Sequence, residues 1–109
     1  MTFDEYMKKS AVTANYPDME HNIYYPTIGL AGEAGEVANK VKKIMRNDGG
    51  VTTYTSRLAI ADELGDCIWY IAALCRELNV SMDWVAEKNI VKLYDRLERG
   101  KLQGDGDKR

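Results

Sequence analysis

Apolar residues recur every three or four positions along most of the chain, which is the spacing of amphipathic helices. The first helix is predicted from about Phe3 to Ala14. Thr2 and Glu5 are spaced as a capping box at its start. The segment from Asn15 to Asn22 is rich in turn-forming residues and ends this helix.

Three further helices follow. Pro26 suits the first turn of a second helix that continues to about Arg46, where polar and glycine residues end it. A third helix is predicted from about Ser56 to Asn79, and Ser81 caps a fourth that Gly100 ends. The apolar seams of these three helices are Leu30, Ala34, Val37, Val41 and Ile44; Leu64, Cys67, Ile68, Ile71, Leu74, Cys75 and Leu78; and Met82, Ala86, Ile90, Leu93 and Leu97.

The fold class follows from this pattern. The only β-branched cluster, Val51 to Thr55, is short and lies where two long helices must be joined. We therefore expect an all-α fold, a four-helix antiparallel bundle over a single domain, 1–109, that closes with a polar tail, 101–109. A chain of this length buries only about two-thirds of its unfolded surface, so we expect oligomerisation to complete the bundle.

Composition and charge narrow the range of partners. The formal net charge of -2 gives no general attraction to a nucleic acid polymer or to an anionic membrane. No apolar run approaches the roughly 18 residues of a membrane span, and residues 1–10 are too charged for a signal peptide. We expect a cytoplasmic protein in which Cys67 and Cys75 are reduced thiols.

Paired acidic residues are the clearest candidates for chemistry. Glu33 and Glu36 are three residues apart in the second helix, and Glu63 and Asp66 are three apart in the third. On a helical wheel, Glu33 and Glu63 border their apolar seams, and the other two lie next outward. If the two seams pack face to face, the four carboxylates converge.

Converging carboxylates repel one another unless a cation lies between them. An all-oxygen set suits Mg²⁺, and the absence of nearby His or Cys argues against zinc. The alternative is that both pairs are solvated helix faces. Gly32, Gly35 and Gly65 lie beside the pairs and permit either close approach of a ligand or tight helix crossing.

Several cations share the predicted edges of these helices. Lys40 and Lys43 follow Glu36 on the second helix, and Asn89, Lys92 and Arg96 flank the seam of the fourth. Phosphoryl transfer needs carboxylates that bind a metal ion together with cationic side chains that bind phosphate oxygens. For Lys43 and Lys92, i,i+4 pairing or simple exposure to solvent is the alternative.

Two segments resemble a known family. Residues 29–37 read Gly-Leu-Ala-Gly-Glu-Ala-Gly-Glu-Val, and residues 61–66 read Ala-Asp-Glu-Leu-Gly-Asp. This order of motifs resembles the MazG-like branch of the all-α nucleoside triphosphate pyrophosphatases, and in particular compact members similar to deoxycytidine triphosphate pyrophosphatase. The resemblance extends from about residue 20 to the end. It departs at Gly32, where many members carry an acid.

The resemblance implies a hydrolase of the house-cleaning type, with a nucleoside triphosphate, and more specifically a dNTP, as its substrate. Hydrolysis to the monophosphate and pyrophosphate would proceed by attack of a metal-activated water on the α-phosphorus. Glu33, Glu36, Glu63 and Asp66 would hold Mg²⁺, for which Mn²⁺ would substitute, and Glu33 or Glu36 would accept the proton of the water. The resemblance also points to a homotetramer, a dimer of dimers. The apolar seams in the sequence are equally consistent with a dimer.

Aromatic residues are the candidates for holding the base. Trp69 is predicted on the outward, polar side of the third helix, and Tyr70 lies one turn beyond Asp66. His21 precedes the second helix and could close over a base. The alternatives are a subunit interface for Trp69 and an ordinary loop histidine for His21.

Two other functional classes remain open at this point. One is a nucleotide- or metal-binding module without turnover. The other is a structural helical oligomerisation protein whose acids are merely solvated.

Overall fold

The computed structural model describes residues 1–100 of the chain. It contains four helices, α1 (Phe3–Ala11), α2 (Tyr24–Asn47), α3 (Tyr54–Glu77) and α4 (Met82–Glu98). No strand occurs in this part of the chain. The predicted all-α class is therefore confirmed, whereas the predicted polar tail lies outside the described residues.

The first helix begins as predicted and ends earlier. Thr2 and Glu5 form the expected capping box. The helix stops at Ala11 instead of Ala14, because the backbone N–H groups of Thr13 and Ala14 donate to carbonyls only three residues back, in a turn.

The second helix begins two residues before Pro26, at Tyr24. The side-chain Oδ1 of Asn22 accepts hydrogen bonds of 3.1 Å from the backbone N–H groups of both Tyr24 and Tyr25. These groups have no partner within the helix, so Asn22 stabilises the earlier start. Pro26, fully buried, still lies in the first turn.

The third helix is shifted towards the N-terminus relative to the prediction. Thr53 and Ser56 form a capping box, so the helix begins at Tyr54. It ends at Glu77 because Asn79 has a φ of 56°, a left-handed conformation that an α-helix cannot continue through. The fourth helix is capped by Ser81, as predicted.

The helices pack in sequence around a small core. α2 and α3 form an antiparallel hairpin along their lengths, joined through Gly49 and Gly50, which have φ values of 61° and 80°. α1 lies against α3, and α4 packs chiefly against α1. The core that joins α1, α3 and α4 consists of Ala72, Cys75 and Met82, with Tyr6, Met7, Ile71 and Val80 packed around it.

The described chain leaves much apolar surface uncovered. Its radius of gyration is 16.8 Å, against about 13 Å for a compact domain of this size. Several predicted seam residues are exposed, namely Val41, Leu64, Ile68, Leu78, Ile90 and Leu97. Apolar surface of this extent is unusual for a monomeric protein. In residues 1–100, no helix is long and apolar enough to cross a membrane.

One carboxylate at the end of α3 holds the segment between α1 and α2. Glu77 accepts hydrogen bonds from the Tyr16 hydroxyl at 2.6 Å and from the backbone N–H groups of Glu20 at 2.8 Å and Asn22 at 2.6 Å. Desolvation alone would raise the pKa of Glu77, but these hydrogen bonds outweigh it and lower the pKa below its usual value. The ionised carboxylate therefore stabilises this segment.

The same network orders two tyrosines. The rings of Tyr16 and Tyr25 stack with centroids 4.7 Å apart. Burial, followed by the hydrogen bond to Glu77, raises the pKa of Tyr16 to about 12. Tyr16 thus attaches the segment between α1 and α2 to α3 through its hydroxyl and to the start of α2 through its ring.

We expect Glu77→Gln to lower the free energy of unfolding by about 1–2 kcal/mol at pH 7. The glutamine amide has only one acceptor oxygen, which is uncharged, so it cannot replace both oxygens of the carboxylate in these hydrogen bonds. A carboxylate whose pKa is lowered on folding stabilises the protein above its ordinary pKa of 4.5, and this contribution is lost as the pH falls through the lowered value. The difference between wild type and variant should therefore shrink as the pH falls below 4.5 in urea unfolding followed by circular dichroism.

Glu87→Gln, at an exposed position on α4, is the control and should change little at either pH. A difference between wild type and Glu77→Gln that does not shrink as the pH falls below 4.5 would contradict the assigned role of the charge.

Candidate functional site

Three of the four predicted carboxylates meet between α2 and α3. One oxygen each from Glu33, Glu63 and Asp66 lies within 4.8 Å of the others. Glu33 and Glu63 are half-buried and Asp66 is exposed. We call these three residues the carboxylate cluster.

The electrostatics of the cluster are those of repelling acids. Burial, then the hydrogen bond with Glu63, and then the negative charges of Asp66, Glu63 and Glu36 raise the pKa of Glu33 above its usual value. Burial and neighbouring negative charge both favour the neutral form of Glu33, and added positive charge relieves the part that comes from the neighbouring charges. A proton or a cation can supply that charge.

The cluster fits a divalent cation of the hard type. Opposite oxygen ligands of Mg²⁺ are about 4.2 Å apart, given a metal–oxygen distance of about 2.1 Å. The ligand atoms of the cluster lie within 4.8 Å of one another, which is comparable with that distance. With three carboxylate oxygens, several coordination positions stay available for water and phosphate.

Glu36, the fourth predicted ligand, lies outside the three-residue cluster. Its side chain is exposed, and its negative charge contributes to the raised pKa of Glu33. Glu36 is therefore close enough to act on the cluster electrostatically, and its role as a ligand stays a prediction.

The cations of α2 differ in what they contact. Lys40 Nζ lies 3.6 Å from Glu63 Oε1 across the two helices, so it already partly compensates the carboxylate cluster. Lys43 is exposed and makes no ion pair with any residue from 1 to 100. Of these two lysines, Lys40 is the one that the fold places at the cluster.

A cleft of about 350 Å³ opens beside the cluster. It is lined by Thr13, Glu33, Asp66, Trp69 and Tyr70. Two carboxylates of the cluster thus share one cleft with two aromatic rings, which are the kind of side chain on which a planar base stacks. We call this the substrate cleft.

Trp69 does not point outward as the sequence predicted. It is half-buried, and its indole Nε1 donates a 2.8 Å hydrogen bond to Thr13 Oγ1. The segment that follows α1 folds back over α3 and covers the indole, which a helical wheel of α3 alone does not show. Trp69 also packs edge to face against Tyr70, with ring centroids 5.0 Å apart.

Tyr70 is wedged against the backbone of α2. A Cβ atom at Gly29 would overlap the Tyr70 ring, so only glycine allows this close approach. By contrast, a Cβ atom at Gly32, Gly35 or Gly65 would meet nothing within 4 Å. The expectation that these three glycines permit tight helix crossing is therefore wrong within one chain, and Gly29 is the glycine that packing requires.

His21 lies at a different place from the cluster. It lines a separate cleft of about 610 Å³ together with Glu77 and Asn79, and its charge helps to lower the pKa of Glu77. Glu77 is 11 residues, or three helical turns, beyond Asp66 on α3. The structure therefore does not bring His21 into the substrate cleft of its own chain.

The candidate phosphate-binding residues of α4 are also remote from the cluster within one chain. Asn89 and Lys92 line a cleft of about 610 Å³ whose described lining residues all belong to α4. Arg96 is buried, with 5% of its surface exposed. Within residues 1–100, α4 packs chiefly on α1 and not on the α2–α3 pair that carries the carboxylates.

The sequence prediction missed one residue of the cleft, Thr13, and one residue that packs against its lining, Gly29. Thr13 lies in the turn after α1 and has no motif around it, so only the tertiary structure reveals its contact with Trp69. Gly29 lies four residues before Glu33 on the same helix. That spacing is the one signal that could have identified it.

Comparisons with known proteins identify the family of the chain. A family model described as the MazG nucleotide pyrophosphohydrolase domain matches residues 26–100. The "Gene 37 protein" of Mycobacterium phage L5 is 45% identical over 114 aligned positions that cover the whole of both proteins, and its name states no activity. No solved structure matches the chain significantly.

We expect Gly29→Ala to destabilise the protein by about 1–3 kcal/mol, because the added methyl group must displace the Tyr70 ring. Gly32→Ala is the matched control on the same helix. It should stabilise the protein by about 0.5–1 kcal/mol, since its methyl group meets open space and alanine favours the helix. Urea unfolding of both variants measures the two effects, and equal stability of the two would refute the close approach at Gly29.

Proposed function

The chain belongs to the MazG nucleotide pyrophosphohydrolase family, and we propose on this basis that it hydrolyses nucleoside triphosphates, specifically dNTPs, to the monophosphate and pyrophosphate. The observation that carries the proposal is the substrate cleft, in which carboxylates of the cluster and two aromatic rings line the same space. Such a cleft has the donors for a metal–triphosphate at one end and a stacking surface for a base at the other.

We propose that Glu33, Glu63 and Asp66 hold Mg²⁺, with Mn²⁺ as a substitute, and that Glu36 joins them from the solvent side. Carboxylate oxygens are the ligands that these hard cations prefer. A cation held there would bind the triphosphate and make a water molecule more acidic. After burial and the hydrogen bond with Glu63, the negative charges of Asp66, Glu63 and Glu36 also raise the pKa of Glu33, and clustered negative charge of this kind attracts a cation.

The protein side of the reaction then divides among a few residues. Glu33 or Glu36 would accept the proton of the attacking water, Glu36 through whichever carboxylate oxygen the metal leaves free. Lys40, already 3.6 Å from Glu63, would turn to a phosphate oxygen once a cation compensates the cluster. Lys43 would extend this positive edge one helical turn further.

We propose that Trp69 and Tyr70 hold the base. Both are half-buried in the substrate cleft, and their edge-to-face packing fixes their orientation. Rings that are already ordered lose little conformational entropy when a base stacks on them. His21 would reach a base only from another subunit, because its own cleft lies at the far end of α3.

We also propose that the active form is a homo-oligomer, a dimer or a dimer of dimers. The exposed seam residues and the extended shape of one chain support this, because a second copy would cover the apolar faces. In such an assembly, α4 of one subunit would bring Asn89 and Lys92 to the triphosphate bound by its neighbour, and Arg96 would support them from within the helix packing.

The first test is hydrolysis of each dNTP with Mg²⁺, measured as release of pyrophosphate. We expect Glu63→Gln to lower turnover by about 10²-fold or more, because one ligand of the metal loses its charge. Asp62→Asn, the neighbouring exposed acid on α3, is the matched control and should retain activity. Mg²⁺ affinity by calorimetry should fall in the first variant only.

The outcomes separate the competing functions. Binding of nucleotides by the wild type without release of pyrophosphate would indicate a binding module. Unchanged Mg²⁺ affinity in Glu63→Gln would indicate a structural protein with solvated acids.

The second test addresses the shared site. Lys92→Ala and Glu63→Gln should each be nearly inactive alone. When the two variants are mixed in equal amounts during refolding, about half of the dimers formed at random contain one subunit of each kind. One of the two sites in each of these hybrid dimers has both Glu63 and Lys92, so the mixture should recover about one quarter of wild-type activity. The oligomer mass is checked by light scattering. Failure of the mixture to regain activity, with hybrids shown to form, would place all essential residues of a site in one subunit.

A further inference from the structure

A single hydrogen bond connects the turn after α1 to the Trp69 indole, and its direction is fixed. Trp69 Nε1 donates to Thr13 Oγ1 at 2.8 Å, and the same hydroxyl donates its only hydrogen to the Ser10 carbonyl at 2.6 Å. An indole N–H is a donor only and has one hydrogen. Because that hydrogen is already used within the protein, Trp69 offers a ligand in the substrate cleft its ring and no polar group.

The acceptor of this hydrogen bond is itself held by α3. The backbone N–H of Thr13 also donates to the Ser10 carbonyl, at 3.0 Å. Ser10 is buried, and its hydroxyl accepts a 3.3 Å hydrogen bond from Arg76 Nη1, which also donates to the Met7 carbonyl at 2.8 Å. Arg76 lies seven residues, or about two helical turns, after Trp69 on α3. α3 therefore holds the end of α1 through Arg76, and the turn that follows contacts α3 again through Thr13.

This hydrogen bond restrains the indole without covering its faces. A hydrogen bond from Nε1 lies near the plane of the ring, so the Thr13 hydroxyl is at the edge of Trp69. Tyr70 packs against the same indole at an interplanar angle of 83°, and Tyr70 is itself confined by the close approach at Gly29. Rotation of the Trp69 side chain must break the first contact and disrupt the second.

We propose that Thr13 is a positioning residue for substrate binding, which holds the Trp69 indole in the orientation in which it lines the substrate cleft. A ring that is already fixed loses little conformational entropy when a base stacks on it. Stacking is tolerant of base identity, since every base has a π-face. Thr13 therefore strengthens the binding of all dNTPs to a similar extent. This inference rests on the proposed hydrolysis of nucleoside triphosphates.

Steady-state kinetics with dATP, dCTP, dGTP and dUTP test the proposal. Thr13→Val keeps the shape of the side chain and removes the acceptor, so it should raise KM by about 3- to 10-fold for every substrate. The kcat should stay within about twofold of wild type, because a base remote from the reacting phosphate is bound equally in the ground state and the transition state. Thr13→Ser keeps the hydroxyl and should restore KM.

A double-variant comparison tests whether Thr13 acts through the indole. Trp69→Phe keeps a flat ring and removes the N–H, so it should raise KM by itself. Adding Thr13→Val to Trp69→Phe should then change KM by less than about twofold, since the partner of the Thr13 hydroxyl is already absent.

Fluorescence reports the orientation of the indole without any substrate. The chain has two tryptophans, so Trp84→Phe leaves Trp69 as the single indole emitter. In that background, Thr13→Val should lower the fluorescence anisotropy of Trp69 and increase its quenching by acrylamide, whereas Thr13→Ser should change neither.

Four results would overturn the proposal. An unchanged KM in Thr13→Val would show that the hydrogen bond only connects α1 to α3, and a loss confined to some bases would show that this contact reads the base. A full additional loss in the double variant would show that Thr13 acts by another route. Unchanged anisotropy in Thr13→Val would show that Tyr70 alone fixes the ring. Failure of the proposed function is distinguishable, because the wild type would then release no pyrophosphate while the anisotropy would still fall in Thr13→Val.

Discussion

Repulsion between three carboxylates on facing helices is the constraint around which this molecule is organised. Glu33 on α2 and Glu63 and Asp66 on α3 can share a space of 4.8 Å only if the two helices are held together along their lengths. The ion pair from Lys40 to Glu63 offsets part of the repulsion, and burial together with the remaining negative charge raises the pKa of Glu33. The packing of the hairpin therefore holds three acids together at some electrostatic cost.

The segment between α1 and α2 completes the cleft beside these acids. Glu77 holds this segment by hydrogen bonds at the end of α3, and its other end carries Thr13 to the Trp69 indole. The Tyr16–Tyr25 stack and the tilted contact of Tyr25 with Tyr70, whose centroids are 6.4 Å apart, connect the two regions. A contact three turns away from the cluster thus contributes to the shape of the cleft.

One chain is an incomplete unit in two respects. Its apolar seams are partly uncovered, and the candidate phosphate-binding residues lie on α4, outside the α2–α3 pair that carries the carboxylates. Both observations have one physical origin, since α4 packs chiefly on α1 and leaves the hairpin face open. Covering the seams and completing the site would then be the same event, which would make turnover depend on assembly.

The sequence by itself determined the four helices, the capping residues Thr2 and Ser81, and the two helices that carry the acidic pairs, because periodicity and capping are local properties. Helix ends shifted where side chains such as Asn22 supplied caps that the pattern did not anticipate. Only the tertiary structure decided that Glu36 lies outside the cluster, that His21 is remote from it and that Trp69 is covered by Thr13. The positions of His21 and Trp69 depend on how the non-helical segment between α1 and α2 folds back over α3. The position of Glu36 depends on how α2 packs against α3. Residue spacing along one helix carries no information about a neighbour that is distant in the chain.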